Sequence, residues 1–257
     1  MRSLALALRQ IRYENRAFWR NPAAAFFTVV FPLMFLVIFN LLFGNNTLEL
    51  PEGTVRTSTF YVPAIASFSI ISACYTNIAI GICYSRDQGL LKRTRGTPLP
   101  SWAYLFGRIG QATLIALLLV VVVTAAGALV YDVDLPTNTM PAFVFAAVVG
   151  AATFSSLGLA VTAFIPNSDA SSPIVNATVL PLLFISDVFI PLHDAPAWIT
   201  SVADIFPVRH FSLAIQAAFN PFERGLGLEW VHLGIMAVWA ATGILLAVRF
   251  FTWEPRR

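Results

Sequence analysis

The side chains that could carry chemistry in this chain are few, and most lie in apolar stretches. The histidines are His193, His210 and His232, and none has a cysteine or histidine partner at zinc spacing. Cys74 and Cys83 share one apolar segment, with neither metal-ligand spacing nor a disulfide framework, and read as small packing residues. Ser155 and Ser156 lie mid-span, but no span carries a midplane histidine to activate them. Lys92 follows Leu91, so no Gly-Lys-Ser/Thr phosphate loop is possible. These patterns argue against an enzyme and against a bound metal or nucleotide in this chain.

A second set of polar groups sits inside apolar runs. Asn40, Asn77 and Asn176 are candidates for lining a substrate path; hydrogen bonding between helices is the alternative. Asp187 falls near the outer end of an apolar run and reads either as a water-facing interfacial carboxylate or as a contact for a cationic substrate. Few other ionisable groups lie so deep, which argues against a proton-driven carrier. The stretch from Ser85 to Arg108 reads SRDQGLLKRTRGTPLPSWAYLFGR. A topology anchor needs only its charges. Leu90, Leu91 and the Pro98-x-Pro100 brace predict a short rigid helix that docks a partner, with a new helix starting at Ser101 or Trp102.

Elements that could hold these groups follow from composition. Of 257 residues, 58% are hydrophobic and 11% charged. A soluble domain carries about 25% charged residues, so lipid is the natural solvent for most of this surface. Six apolar runs are long enough to span: Ala23–Phe43, Phe60–Tyr84, Ile109–Val130, Ala142–Ile165, Pro173–Ile190 and Trp230–Phe251. Thirteen lysines and arginines fall on the side of the N-terminal tail and three on the other, which makes the first side cytoplasmic. An odd number of spans would strand the C-terminal arginines outside. The prediction is an all-α integral membrane protein with six transmembrane helices and both termini in the cytoplasm. The basic excess orients the chain; it does not call for nucleic acid.

Two segments are more than connections. At about 100° per residue, the five arginines before residue 22, including Arg9, Arg12 and Arg16, fall within a sector of roughly 80°. Leu4, Leu8, Ile11, Phe18 and Trp19 fill the adjacent sector, so residues 1–22 predict an amphipathic helix on the cytoplasmic membrane surface. Residues 191–229 form an outer segment rich in proline and aromatics, including Trp198, Phe206 and Phe211. A fully solvated loop would not need them; short re-entrant helices in the outer leaflet would.

With these parts in place, the sequence resembles the membrane subunits of type-2 ATP-binding-cassette exporters, especially the daunorubicin-resistance and multidrug-like permeases. GLLKRTRGTPLPSWAYLFGRI, from Gly89 to Ile109, is similar to that family's cytoplasmic loop between the second and third spans. FIPLHDAPAWITSVADIFPVRHFSLAIQ, from Phe189 to Gln216, is similar to its outer segment. The resemblance implies that residues 23–257 form a permease domain in the bacterial inner membrane. It implies a partner ATPase dimer that binds ATP and Mg, and a second permease chain, identical or different. Arg86, Asp87, Leu90, Leu91, Lys92, Arg93 and Arg95, with Arg9, Arg12 and Arg16, would couple ATPase closure to the membrane. Trp198, Phe206 and Phe211 would form an outer gate. The implied cargo is a hydrophobic or amphipathic small molecule, a drug or a lipid. Two alternatives stay open: export of a lipid-linked glycan or other envelope polymer, and a non-transporting scaffold that recruits a cytoplasmic protein.

Overall fold

The computed structural model describes residues 2–44, 46–50, 53–97, 99–192, 195–223 and 225–254. Pro98 and His193, named above, lie outside the described residues, as does the side chain of Leu4.

Helix α1, Arg2–Trp19, ends at Asn21-Pro22, where the Asn21 side chain accepts the Ala24 N–H and caps α2, Pro22–Phe43. An antiparallel hairpin of β1, Thr47–Leu50, and β2, Gly53–Arg56, joins α2 to α3, Thr57–Ile71. Sequence reading predicted no strands. The hairpin forms where the apolar run has ended, with β-branched Thr47, Val55 and Thr54 facing Arg56, Leu48 and Glu49 in turn. A π-helical turn, Ser72–Thr76, continues α3 into α4, Asn77–Asp87. Gly89, at φ 71°, turns the chain into α5, Leu90–Arg95, and α6 follows over Ser101–Tyr131. Then come α7, Met140–Val161; α8, Ser168–Phe184; α9, Ala197–Ala203; α10, Pro207–Phe219; and α11, Trp230–Phe250.

Among the described residues five helical segments are long and apolar enough to cross a membrane: Pro22–Phe43, Thr57–Asp87, Ser101–Tyr131, Met140–Val161 and Trp230–Phe250. The run expected as the fifth span is the exception. It becomes α8, which starts earlier, at polar Ser168-Asp169, and leaves the helix after 17 residues, three before Asp187 at φ 54°. At 1.5 Å per residue that is about 26 Å, somewhat less than a hydrocarbon core. Helix α6 starts at Ser101, where a new helix was expected, and runs without a break into the third span.

Helix α3 is the core: of its residues only Thr59 is not buried. Helices α6, α7 and α10 pack round it. The outer faces of α2 and α11 expose Phe26, Phe27, Leu41, Val238, Leu245 and Val248. Water would not tolerate so broad an apolar face, whereas acyl chains match it.

Candidate functional site

Three polar or aromatic clusters stack from one end of the helix bundle to the other. At the first end, α1 lies along the start of α6. Gly107 and Gly110 leave room there for Gln10 and Ile11. Arg108 Nη1 donates to Glu14 Oε2 at 3.0 Å, and Gln10 Nε2 donates to Glu14 Oε1 at 2.9 Å. Glu14 and Arg108 were not among the expected site residues, although Glu14 is the lone acid in a basic tail, which is a signal for a fixed partner. Arg9, Arg12 and Arg16 are exposed on α1. Ala7 and Glu14 are buried while Leu8 and Trp19 are exposed, so α1 docks on protein along one stripe and offers apolar side chains elsewhere.

Helix α5 projects beside this contact. Leu91 is fully buried and anchors it. Leu90, Lys92, Arg93 and Arg95 are exposed. Arg86, expected to serve the same coupling surface, does something else. It is 1% exposed, and its guanidinium donates to the carbonyls of Thr162, at 3.1 Å, and Ile165, at 2.6 Å. Asp87 accepts the Ser168 N–H at the start of α8. Both side chains turn inward because the end of α7 presents unpaired carbonyls and the start of α8 unpaired N–H groups.

Midway, α2, α3 and α8 enclose an aromatic recess of about 180 Å³. Phe31, Phe35, Phe68 and Phe189 supply aromatic walls, while Ser72, Thr76 and Asn176 supply polar ones. Phe35 stacks on Phe189 at 5.2 Å and meets Phe68 edge-on at 5.5 Å. Asn176, an expected path residue, does line it; its amide donates to Ser172 Oγ at 3.2 Å. Asn40 and Asn77 are not among the lining residues. Asn40 is buried at the far end of α2 and donates to the Leu36 carbonyl at 2.9 Å. Asn77 lies one turn before Gly81, against which the Arg108 guanidinium packs. Tyr75 and Thr178 hydroxyls, 2.7 Å apart, join the π-turn to α8.

At the other end, Asp187 is a hub. Its Oδ1 accepts the Leu192 N–H at 2.7 Å and its Oδ2 accepts Arg209 Nε at 3.0 Å. Its carbonyl accepts from Ser212 Oγ and Gln216 Nε2, each at 2.7 Å. The side chain is 11% exposed, so this carboxylate neither faces open water nor waits for a cation. Burial weakens the hold of Arg209 on its proton, but bonding to Asp187 and Asp204 outweighs that and raises its pKa. Arg209 was missed because nothing in its local sequence marks it; the turn between α8 and α10 brings it to Asp187. His210 Nε2 lies 2.9 Å from the Asp204 carbonyl, which can only accept, so that nitrogen carries the proton. Its Nδ1 then accepts from His232 Nδ1 at 2.8 Å, joining α10 to α11.

The three expected gate aromatics do not form one cluster. Trp198 is 68% exposed on α9. Phe206 stacks on Trp239 at 6.3 Å. Phe211 is fully buried, edge-on to Phe154 and against Gly150, so it packs the core.

Sequence comparison finds similarity to known transport permeases. The chain is 26% identical over 226 residues to a protein of Porphyra purpurea named "Putative transport permease ycf38", covering 84% of this chain and 76% of that one. It is 25% identical over 241 residues to the daunorubicin resistance ABC transporter permease protein DrrB1 of Streptomyces coeruleorubidus, covering 87% and 79%. It is 21% identical over 183 residues to "Probable multidrug ABC transporter permease YbhR" of Escherichia coli K12, covering 71% of this chain and 49% of the relative. The ABC-2 type transporter family model matches residues 6–220, and the chain, an apolar helical membrane protein, belongs to that family as a permease.

Proposed function

We propose that this chain is the membrane half of an ATP-driven exporter of hydrophobic or amphipathic small molecules, in a bacterial inner membrane. A separate ATPase dimer supplies the energy and binds the ATP and Mg; a second permease chain completes the path. The observation that carries the reading is α5. It is anchored by buried Leu91 and presents Lys92, Arg93 and Arg95 outward, at the end of the bundle where α1 also exposes Arg9, Arg12 and Arg16. An exposed basic helix on a fixed root suits docking better than it suits orientation alone.

In this reading α8 is the fifth of six crossings, completed by the irregular chain after Phe184, and both termini are cytoplasmic. The thirteen-to-three distribution of basic residues supports that parity. The recess between α2, α3 and α8 supports a small cargo over a polymer: it is narrow and walled by phenylalanine. Binding alone moves nothing uphill, so the ATPase must stabilise two states of the recess differently.

Reversing the charge at α5 tests the assignment. In the Arg93→Glu/Arg95→Glu variant, co-purification of a co-expressed ABC ATPase that associates with the native chain is expected to fall by about tenfold or more, a typical cost for like interface charges brought together. Full association and full turnover in that variant would count against the reading.

A further inference from the structure

We propose that α8 is a strut fastened at both ends, and that Arg86, Asp87 and Arg209 are positioning residues for transport. They act on α8 and touch neither the ATPase nor the cargo. The inference rests on the reading of α5 as the docking helix.

The inner fastener is one dipeptide that closes both ends of the α7–α8 turn. Arg86 Nη1 and Nη2 hold the Thr162 and Ile165 carbonyls, with Pro166 O a further 3.4 Å contact. A cation there meets the negative end of the α7 dipole. Asp87 holds the Ser168 N–H at the positive start of α8. A guanidinium 1% exposed would be costly without such partners, so this burial is a built feature. Only Gln88 and Gly89 separate Asp87 from α5. A push on α5 therefore reaches the α7–α8 turn through short covalent and hydrogen-bonded links.

The outer fastener is Asp187. Its carboxylate takes Arg209 Nε, and its carbonyl takes Ser212 and Gln216, all three from α10. Asp187 holds φ at 54°, an uncommon conformation for a residue other than glycine, and these bonds over-determine it. Between the fasteners, Asn176, Val179 and Leu183 of α8 form one wall of the recess. Displacement of the strut would therefore change the recess and the outer cap together. A simple stability role predicts neither a shared motion nor its dependence on Arg86.

Pulsed electron-spin distance measurements test this on the full complex with its ATPase. Labels are placed at Lys92→Cys on α5 and Asp169→Cys at the start of α8, each paired with Thr137→Cys on the α6–α7 connection. All three native side chains are exposed, whereas Cys74 and Cys83 are buried. ATP is expected to displace the Lys92 and Asp169 labels together. In an Arg86→Gln background the Lys92 displacement persists and the Asp169 displacement is lost. Movement of the Lys92 label alone in the native background, or of both labels in Arg86→Gln, overturns the strut and leaves the docking role of α5 intact. Immobility of the Lys92 label with ATPase bound overturns both. If Arg86→Gln does not fold, Asp87→Ala, which keeps the arginine and its carbonyl bonds, serves with the same two outcomes.

Discussion

Asp187 shows how far a single residue can be read alone. An acid at the edge of an apolar run is conspicuous in the sequence. Its role is not, because the partner that decides it comes from another helix 22 positions away. Removing Arg209 leaves a nearly buried carboxylate without its cation, which costs about 3–5 kcal/mol for a pair in such surroundings. Arg209→Ala is therefore expected to lower the thermal unfolding midpoint in detergent sharply. Asp187→Asn/Arg209→Gln, which removes both charges and keeps hydrogen-bonding groups, should be milder. Equal losses in the two variants would mean that the ion pair itself contributes little. Arg86 teaches the same lesson in reverse: it sits in a run of exposed basic residues and is the buried one.

Among the elements, Phe60–Tyr84 was predicted as one span, and the helical segment found there, Thr57–Asp87, is continuous but not uniform. Its π-turn lies where Gly158 of α7 comes closest: a Cβ there would stand 2.9 Å from the Tyr75 carbonyl and 3.0 Å from that of Cys74. Both neighbours are backbone and cannot swing aside. Gly158→Ala should therefore destabilise by about 1–3 kcal/mol, as overpacking does, and its unfolding midpoint in detergent measures this. Gly243 packs its helix closely on Ser156 of α7 in the same way. Gly89 differs: nothing lies within 4 Å of its missing side chain, but its positive φ aims α5. Gly89→Val should cost about 1–2 kcal/mol through backbone strain. It is expected to weaken ATPase co-purification while the bundle itself stays folded. The helices were legible because apolar runs and prolines mark them. The π-turn was not, because a contact from another helix accompanies it.

Taken together, the bundle predicts where reagents can reach it. In the proposed orientation, with both termini cytoplasmic, a membrane-impermeant thiol reagent added to intact cells is expected to label Thr137→Cys and to miss Arg93→Cys; the reverse pattern would invert the orientation. The recess makes a further demand. Val179→Trp should narrow this recess of roughly 180 Å³. Efflux of an amphipathic drug should then fall while ATPase co-purification is unchanged, because the recess and α5 lie at different depths. Loss of both together would point to misfolding.

Composition and charge placement were enough to establish an apolar helical membrane protein with an exposed basic loop, because solvation by lipid and the siting of arginine act on each segment almost independently. Other features depended on tertiary contacts. These include the burial of Arg86, the capture of Asp187 by Arg209, the separation of Trp198, Phe206 and Phe211, and the shortness of α8. Each is settled by which partner a folded neighbour brings within hydrogen-bonding or packing distance. Spacing along the chain does not encode that distance when the partners lie on different helices.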